Sequence, residues 1–351
     1  MKKWLENIRR VEPYVPGEQP KDTDVIKLNT NENPYPPAPQ VLEASKSMDM
    51  NLLKLYPDPA ASELVDALAK AHGIGSTQIF PGVGSDDVLS MIFLTFFNSD
   101  KPVLFPDITY SFYSVWASVY GIPYERPALD SDFRIRAEDY YRENGGVVIA
   151  NPNAPTSIYE GLDFIEDILR HNEDSVVVVD EAYIDFAGGP SAIELMPEYE
   201  NLIVVRTFSK SRSMAGLRIG YAVAGEELIK ALNDVKYSVN SYTLNKPAIE
   251  LGEAAVKSTE YYEEITRRVV ATRERAAKEL AELGFECLPS GTNFLFAKHR
   301  TVPGERIFKE LRDAGIYVRH FDAPRIDDYL RITVGTDEQM DKLIAFLKKY
   351  A

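Results

Sequence analysis

Between about residue 60 and about residue 245 the chain alternates amphipathic helical stretches with short apolar runs. Among these runs are Gly146-Val147-Val148-Ile149-Ala150, Val176-Val177-Val178-Val179 and Leu202-Ile203-Val204-Val205. Apolar runs without alternation suit strands buried on both faces, so the pattern predicts a mostly parallel sheet covered by helices. Each run ends in polar residues: Asn151 and Asn153, Asp180, and Thr207 to Lys210. Ligands of open α/β sheets bind outside the carboxyl ends of the strands, so three strand ends are expected to meet at one site. The first 45 or so residues break the pattern. Pro13, Pro16, Pro20, Pro34, Pro36, Pro37 and Pro39 prevent regular structure throughout and predict an extended arm. Within it, Asn29-Thr30-Asn31-Glu32-Asn33-Pro34 suits either a turn or a loop that covers a ligand.

After Asn245 one long helical pattern runs through Glu250, Tyr261, Arg267 and Glu282 to Gly284. Strand-like runs at Phe294-Leu295-Phe296-Ala297, Ile316-Tyr317-Val318-Arg319 and Tyr329-Leu330-Arg331-Ile332-Thr333-Val334 then bracket a helix near Gly304 to Ala314. A final helix is expected from about Glu338 to Lys349. The fold class is therefore α/β, with a large α/β/α domain and a smaller α+β domain formed by the arm and the C-terminal part. The expected divisions are residues 1–45 for the arm, 46–245 for the large domain and 246–351 for the small one.

Composition narrows the partners. The 351 residues are 45% hydrophobic and 26% charged, an ordinary globular balance, with a net charge of −15. No basic block offsets that charge, so nucleic acid is not an expected partner and any anionic ligand must be caught by local arginines. No run of about 18 apolar residues predicts a membrane span, and the N-terminus does not read as a signal peptide. The single cysteine, Cys287, is expected to be structural and buried, which fits a reducing, cytoplasmic setting. No metal site is expected.

The candidate chemistry centres on Val204-Val205-Arg206-Thr207-Phe208-Ser209-Lys210, followed by Ala215-Gly216-Leu217-Arg218-Ile219-Gly220-Tyr221. An aldehyde cofactor that carries a phosphate, pyridoxal phosphate, would find a Schiff-base amine in Lys210 and phosphate partners in Thr207, Ser209 and Arg218. A solvated lysine at a strand end fits the same spacing. Asp180 follows four valines, where a charge needs a partner; a protonated pyridine nitrogen would be one, and a helix cap or turn is the structural alternative. Tyr183 lies three residues on, within reach of a ring oxygen. Pro81-Gly82-Val83-Gly84-Ser85-Asp86-Asp87 leads into an apolar helix from Val88 to Phe97, so the amides of Gly84, Ser85 and Asp86 would form a phosphate-binding N-terminus or a purely structural cap. Tyr110, in Pro106-Asp107-Ile108-Thr109-Tyr110, would stack on a ring or fill the core.

The ordered set resembles the fold-type I pyridoxal-phosphate aminotransferases, and within them the histidinol-phosphate branch. It comprises Gly-x-Gly-Ser-Asp, Pro-x-x-x-Tyr, Asn-Pro-Asn-x-Pro-Thr, Asp-Glu-Ala-Tyr, Thr-Phe-Ser-Lys, Gly-Leu-Arg-Ile-Gly-Tyr and Leu-Arg-Ile-Thr-Val-Gly-Thr. The match runs from Pro13-Tyr14-Val15-Pro16-Gly17 to Arg331. The resemblance implies Lys210 as the Schiff-base lysine and proton shuttle, Asp180 at the pyridinium nitrogen and Tyr183 at the phenolic oxygen. It puts Gly84, Ser85, Asp86, Thr207, Ser209 and Arg218 around the phosphate, and Tyr110 on the ring. Tyr56, in Leu55-Tyr56-Pro57-Asp58-Pro59, is similar to a tyrosine that reaches across a dimer, which implies a homodimer. Arg331 would bind a carboxylate and Arg319 the substrate phosphate, with Tyr14 and Asn29 covering the substrate from the arm.

Two departures stand out. Ala154 occupies the place of the asparagine that meets the phenolic oxygen, leaving Asn153 or Asn151 to take over, and Ser157 replaces a glycine. Arg212 is an unexpected cation, free to shield the phosphate or to face solvent. The implied activity is transamination between histidinol phosphate and 2-oxoglutarate in histidine biosynthesis. A threonine-phosphate-type decarboxylase, a broader aromatic aminotransferase and a non-enzymatic regulatory protein are the alternatives.

Overall fold

The computed structural model describes residues 2–15, 17–21 and 24–351; Pro16 of the arm lies outside them. In chain order the arm carries β1 (Ile26–Lys27) and α1 (Pro39–Ser47). Next come α2 (Ser62–His72), β2 (Ile79–Gly82), α3 (Ser85–Phe96), β3 (Val103–Leu104), α4 (Phe112–Tyr120) and β4 (Tyr124–Glu125). These are followed by β5 (Gly146–Ala150), α5 (Leu162–Arg170), β6 (Val177–Asp180), β7 (Leu202–Thr207) and β8 (Gly220–Ala224). Then come α6 (Glu226–Val239), α7 (Lys246–Val256) and α8 (Thr259–Glu282). The C-terminal body has β9 (Phe285–Cys287), β10 (Phe294–His299), α9 (Gly304–Asp313), β11 (Ile316–Tyr317), β12 (Arg319–His320), β13 (Tyr329–Thr333) and α10 (Asp337–Leu347).

The seven-stranded sheet has the order β2-β8-β7-β6-β5-β3-β4, and β8 alone runs antiparallel to its neighbours. Its apolar runs have a simple cause. Successive side chains point to opposite faces. Val148, Val178, Ile203 and Val205 pack with Leu89, Phe93, Tyr113 and Leu232 on one face. Val147, Ile149, Val177, Val179 and Val204 pack with Ile165, Ile168 and Leu169 on the other. With neither face left to water, the polar residues are confined to the strand ends.

Two expectations need correction. The long helix after Asn245 is two helices, because Lys257 N bonds Glu253 O and Ser258 N tightens onto Ala255 O, both at 3.1 Å, closing α7. Packing runs across residue 246, the expected start of the small domain. Ala248, Ile249 and Val256 of α7 and Tyr262 and Ile265 of α8 share a core with Val41 of α1 and Leu64 and Leu68 of α2. Only farther along α8 do Ala276 and Leu280 join the C-terminal core. Ile316 to Arg319 is not one strand: β11 pairs in parallel with β1, whereas β12 pairs with β13, where Arg319 stands opposite Arg331. Cys287 is half-buried on the edge strand β9, and burial pushes its thiol up to about 12. Among the described residues no helix is long and apolar enough to cross a membrane.

The large sheet meets α3 without a spare methyl's width. A Cβ built on Gly220, the first residue of β8, would lie 2.2 Å from Ser85 N at the start of α3. Gly220→Ala should therefore lower stability by about 1–3 kcal/mol, the range for overpacking, in urea denaturation. An unchanged midpoint would show that the first turn of α3 can yield.

Candidate active site

The strand ends converge on one cleft of about 220 Å³, partly open to solvent. Asp180 ends β6 and Thr207 ends β7, its parallel neighbour; Lys210 follows in the loop before β8. Asp180 Oδ2 accepts a 2.8 Å hydrogen bond from Tyr113 Oη, and Oδ1 accepts one from Ala182 N at 3.2 Å. Burial raises its pKa from 3.8 to about 6 despite these donors, which act the other way. Tyr113 is fully buried in α4, and its aromatic position in an apolar helix gave no signal of this role.

Lys210 Nζ donates to Thr30 O of the arm at 3.3 Å and stands 5.6 Å from the centre of the Tyr183 ring. Its loop is tied from two sides. Asn33 Nδ2 donates to Lys210 O at 3.1 Å, and Ser211 Oγ donates to Asp185, which also pairs with Arg206. Arg206 additionally meets Glu181 at 3.3 Å. Glu32 of the arm also lines the cleft. Burial raises its pKa, but Lys27 and Thr30 outweigh this and the net shift is downward. Thr30, Glu32 and Asn33 fall inside the arm motif of the sequence, although their roles did not follow from it.

The other end of the cleft gathers amides, hydroxyls and a guanidinium, groups that suit an anion. α3 begins at Ser85, capped by Gly84 at φ 83°, so the amides of its first turn lack helical partners. Ser85, Thr207, Ser209 and Arg218 line the same end. Gly84 keeps the backbone against Arg218: a Cβ there would lie 2.5 Å from Arg218 Nη2. Asp86 sits between two neighbours, accepting from Tyr110 Oη at 2.8 Å and pairing with Arg218 Nη2 at 3.1 Å. Tyr110 both lines the cleft and packs edge-on against Tyr113.

Other expected residues are placed differently. Ala154 lines the cleft, but neither asparagine replaces its missing amide. Asn153 Nδ2 donates to Ile108 O and Thr156 Oγ1, both at 2.9 Å, while Oδ1 accepts from Thr109 at 2.7 Å. Asn151 exchanges two 2.8 Å bonds with the Glu160 backbone. Ser157 has a left-handed backbone at φ 68°, a conformation that favours glycine, and its Oγ donates to Pro289 O at 3.0 Å. Arg212 neither shields the cleft nor faces only solvent: Nη1 donates to Ala255 O at the end of α7 at 3.0 Å, and its guanidinium lies over Phe208 and Tyr262.

On the arm side, Asn29 is buried and its Nδ2 holds Glu18 O at 2.7 Å rather than facing the cleft. Its backbone oxygen accepts from Arg331 Nη2 at 3.0 Å. Arg331 Nε is buried with no partner among the described residues, and burial together with the nearby Arg319 lowers its pKa. Both guanidiniums lie over the Phe321 ring, so β12 and β13 bring two cations together, although neither lines the cleft. Tyr14 stacks on Phe112 at 4.2 Å. Tyr56 is 82% exposed, stacked on Tyr242, and does not line its own chain's cleft. Asn31, which the sequence did not single out, donates from Nδ2 to Tyr183 Oη at 2.9 Å.

The model of the family "Aminotransferase class I and II" matches residues 23–347. The chain belongs to this family. It is 51% identical over 346 residues to a histidinol-phosphate aminotransferase of Clostridium acetobutylicum, covering 99% of this chain and 98% of that protein. A protein of the same name from Clostridium beijerinckii is 50% identical over 347 residues, covering 99% and 97%. Among solved structures, the histidinol-phosphate aminotransferase of Sinorhizobium meliloti in complex with pyridoxal-5'-phosphate superimposes with a TM-score of 0.85. It is 26% identical and covers 93% of this chain and 90% of that one.

The cleft fits that cofactor on its own chemistry. It offers an amine, a buried carboxylate, and an anion site cradled by Gly84, where a side chain would collide. Asp180 also makes the fit measurable. Its folded pKa of about 6 exceeds the ordinary 3.8, so the folded chain holds the proton more tightly. The cost of its charge is absent below about pH 4, grows as the pH rises to about 6 and stays constant above. Two units correspond to about 3 kcal/mol. Asp180→Asn removes this cost. In protein stripped of cofactor, denaturation should show the variant gaining about 3 kcal/mol on the wild type between about pH 4 and about pH 7. A pH-independent difference would contradict the buried, perturbed carboxylate.

Proposed function

We propose that this enzyme transfers an amino group between histidinol phosphate and 2-oxoglutarate, using pyridoxal phosphate. The observation that carries the reading is the joint placement of Lys210 and Asp180 in one cleft, beside an anion site at the N-terminus of α3. When bound, the cofactor supplies an aldehyde that bonds amines and a ring that withdraws electrons from the carbon bearing that amine.

The chain's own residues divide the rest of the work. Ser85, Thr207, Ser209, Arg218 and the first amides of α3 bind the phosphate. Asp180 holds a proton at the ring nitrogen, and its burial makes that pairing worth more than it would be in water. Tyr183 donates to the phenolic oxygen. Lys210 Nζ is the base at the substrate carbon that carries the amine, and Thr30 O fixes where that nitrogen waits.

Arg331 and Arg319 receive the substrate's anionic groups, a carboxylate in one half-reaction and a phosphate in the other. Planar guanidinium forks suit both. The unpartnered Nε of Arg331 supports this role. A homodimer completes the reading: exposed Leu53, Leu55, Tyr56, Val239 and Tyr242 form the kind of apolar surface that a second copy covers. Tyr56 then serves the partner's site. A cytoplasmic location fits the same biosynthetic role. Decarboxylation is not favoured, because the relatives at 50 and 51% identity carry the aminotransferase name.

Two outcomes are expected. Lys210→Ala should abolish covalent trapping of the cofactor by borohydride, read by mass, and lower transamination at least about 100-fold; trapping at another lysine would refute the assignment. Arg319→Ala should raise KM for histidinol phosphate about 10- to 100-fold, the worth of a charge-assisted hydrogen bond. It should leave an unphosphorylated amino donor nearly unaffected. Equal losses for both donors would remove Arg319 from the phosphate role.

A further inference from the structure

One wall of the cleft is short of polar groups. It is formed by Ala150, Pro152, Ala154, Ala182 and Tyr183, and among these the Tyr183 hydroxyl is the only polar side-chain atom. Asn151 and Asn153 bond elsewhere and do not line the cleft, so no other side chain on this wall shares the work of that hydroxyl. A hydroxyl has a single proton, and the direction in which it is sent depends on the bonds the oxygen accepts.

Those bonds can be followed one proton at a time. Asn31 N donates to Thr333 Oγ1 at 3.0 Å. Thr333 Oγ1 accepts there and donates its own proton to Asn31 Oδ1, also at 3.0 Å. With Oδ1 occupied as an acceptor, the amide of Asn31 has its NH₂ end towards Tyr183 Oη, at 2.9 Å. Tyr183 Oη thus accepts from Asn31, and its proton is left for the cleft. Asn31 and Thr333 are 1% and 3% exposed, so water does not compete in this chain of donors. Asn31 itself is fixed in the left-handed region at φ 57°, and Asn293 Nδ2 holds its carbonyl at 3.0 Å.

We propose that Asn31 is a positioning residue: held by Thr333, it directs the Tyr183 hydroxyl into the cleft, where Tyr183 alone supplies the hydrogen bond that Ala154 cannot make. The proposal rests on the pyridoxal-phosphate reading above. A donor to the cofactor's phenolic oxygen stabilises its anionic form, which weakens its grip on the proton it shares with the Lys210 nitrogen. Asn31 therefore keeps the pH at which that proton leaves low, although it touches neither cofactor nor substrate.

The test is a pH titration of the visible absorbance of the cofactor-loaded enzyme without substrate. Asn31→Asp suits the backbone, since Asp tolerates a left-handed φ, but it presents an acceptor to Tyr183 and draws the hydroxyl proton away. Its midpoint should rise by about 1 pH unit or more. Thr333→Val should shift the midpoint in the same direction, and Thr333→Ser, which keeps the hydroxyl, should restore it. In a Tyr183→Phe background, Asn31→Asp should add nothing. Wild-type midpoints in both Asn31→Asp and Thr333→Val would overturn the proposal, as would an additional shift in the Tyr183→Phe background. If Asn31→Asp does not fold, the Thr333 pair decides. A wild-type protein that shows no cofactor absorbance at all would instead overturn the functional reading, and this inference with it.

Discussion

A carboxylate at the end of a strand buried on both faces is costly as a charge, and the remaining design of the cleft follows from the need to compensate it. Asp180 is held by Tyr113 Oη and Ala182 N, yet burial still raises its pKa. A cation placed against it gains what water would otherwise supply. The anion site at the start of α3 and the amine of Lys210 lie around the same cavity. On the function proposed above, these three features would meet one ligand with a phosphate, an aldehyde and a basic ring nitrogen.

The arm supplies much of the precision. Thr30 O receives Lys210 Nζ, Asn33 braces the backbone of Lys210, Asn29 O receives Arg331, and Asn31 reaches Tyr183. Four consecutive functions come from five residues without regular secondary structure. The segment is rigid nevertheless. β1 pairs with β11, Thr333 N bonds Leu28 O at 3.0 Å, and the side chains of Asn29 and Asn31 tie the segment to Glu18 and Thr333.

The large sheet, its parallel direction and the polar strand ends were legible in the sequence, because a strand covered on both faces must be apolar throughout and has nowhere else to put its chemistry. Lys210, Asp180, Tyr183 and Arg218 all reached the cleft for that reason. What remained hidden was tertiary. Tyr113 looks like any aromatic of an apolar helix, and only the turn of α4 against β6 brings its hydroxyl to Asp180. The occupation of Asn153 by Ile108 O and Thr156 could not be read from spacing, nor could the capture of Arg212 by the end of α7. The break after Val256 was missed because the apolar period continues across it, while the layer being packed against changes along α8.

The bond between Asn31 and Thr333 joins residues 302 positions apart. Arg331 and Asn29 are separated by the same 302. Contacts of such separation carry a large loop-closure cost and tend to slow folding. They also set an order in time. During synthesis the large sheet can gather its strands once β8 has emerged, but the arm has no β11 or β13 to pair with until nearly the whole chain is made. The surroundings of Tyr183 and of Arg319 and Arg331 therefore take shape only at the end of synthesis, and a chain cut short before residue 333 has the sheet without a finished cleft.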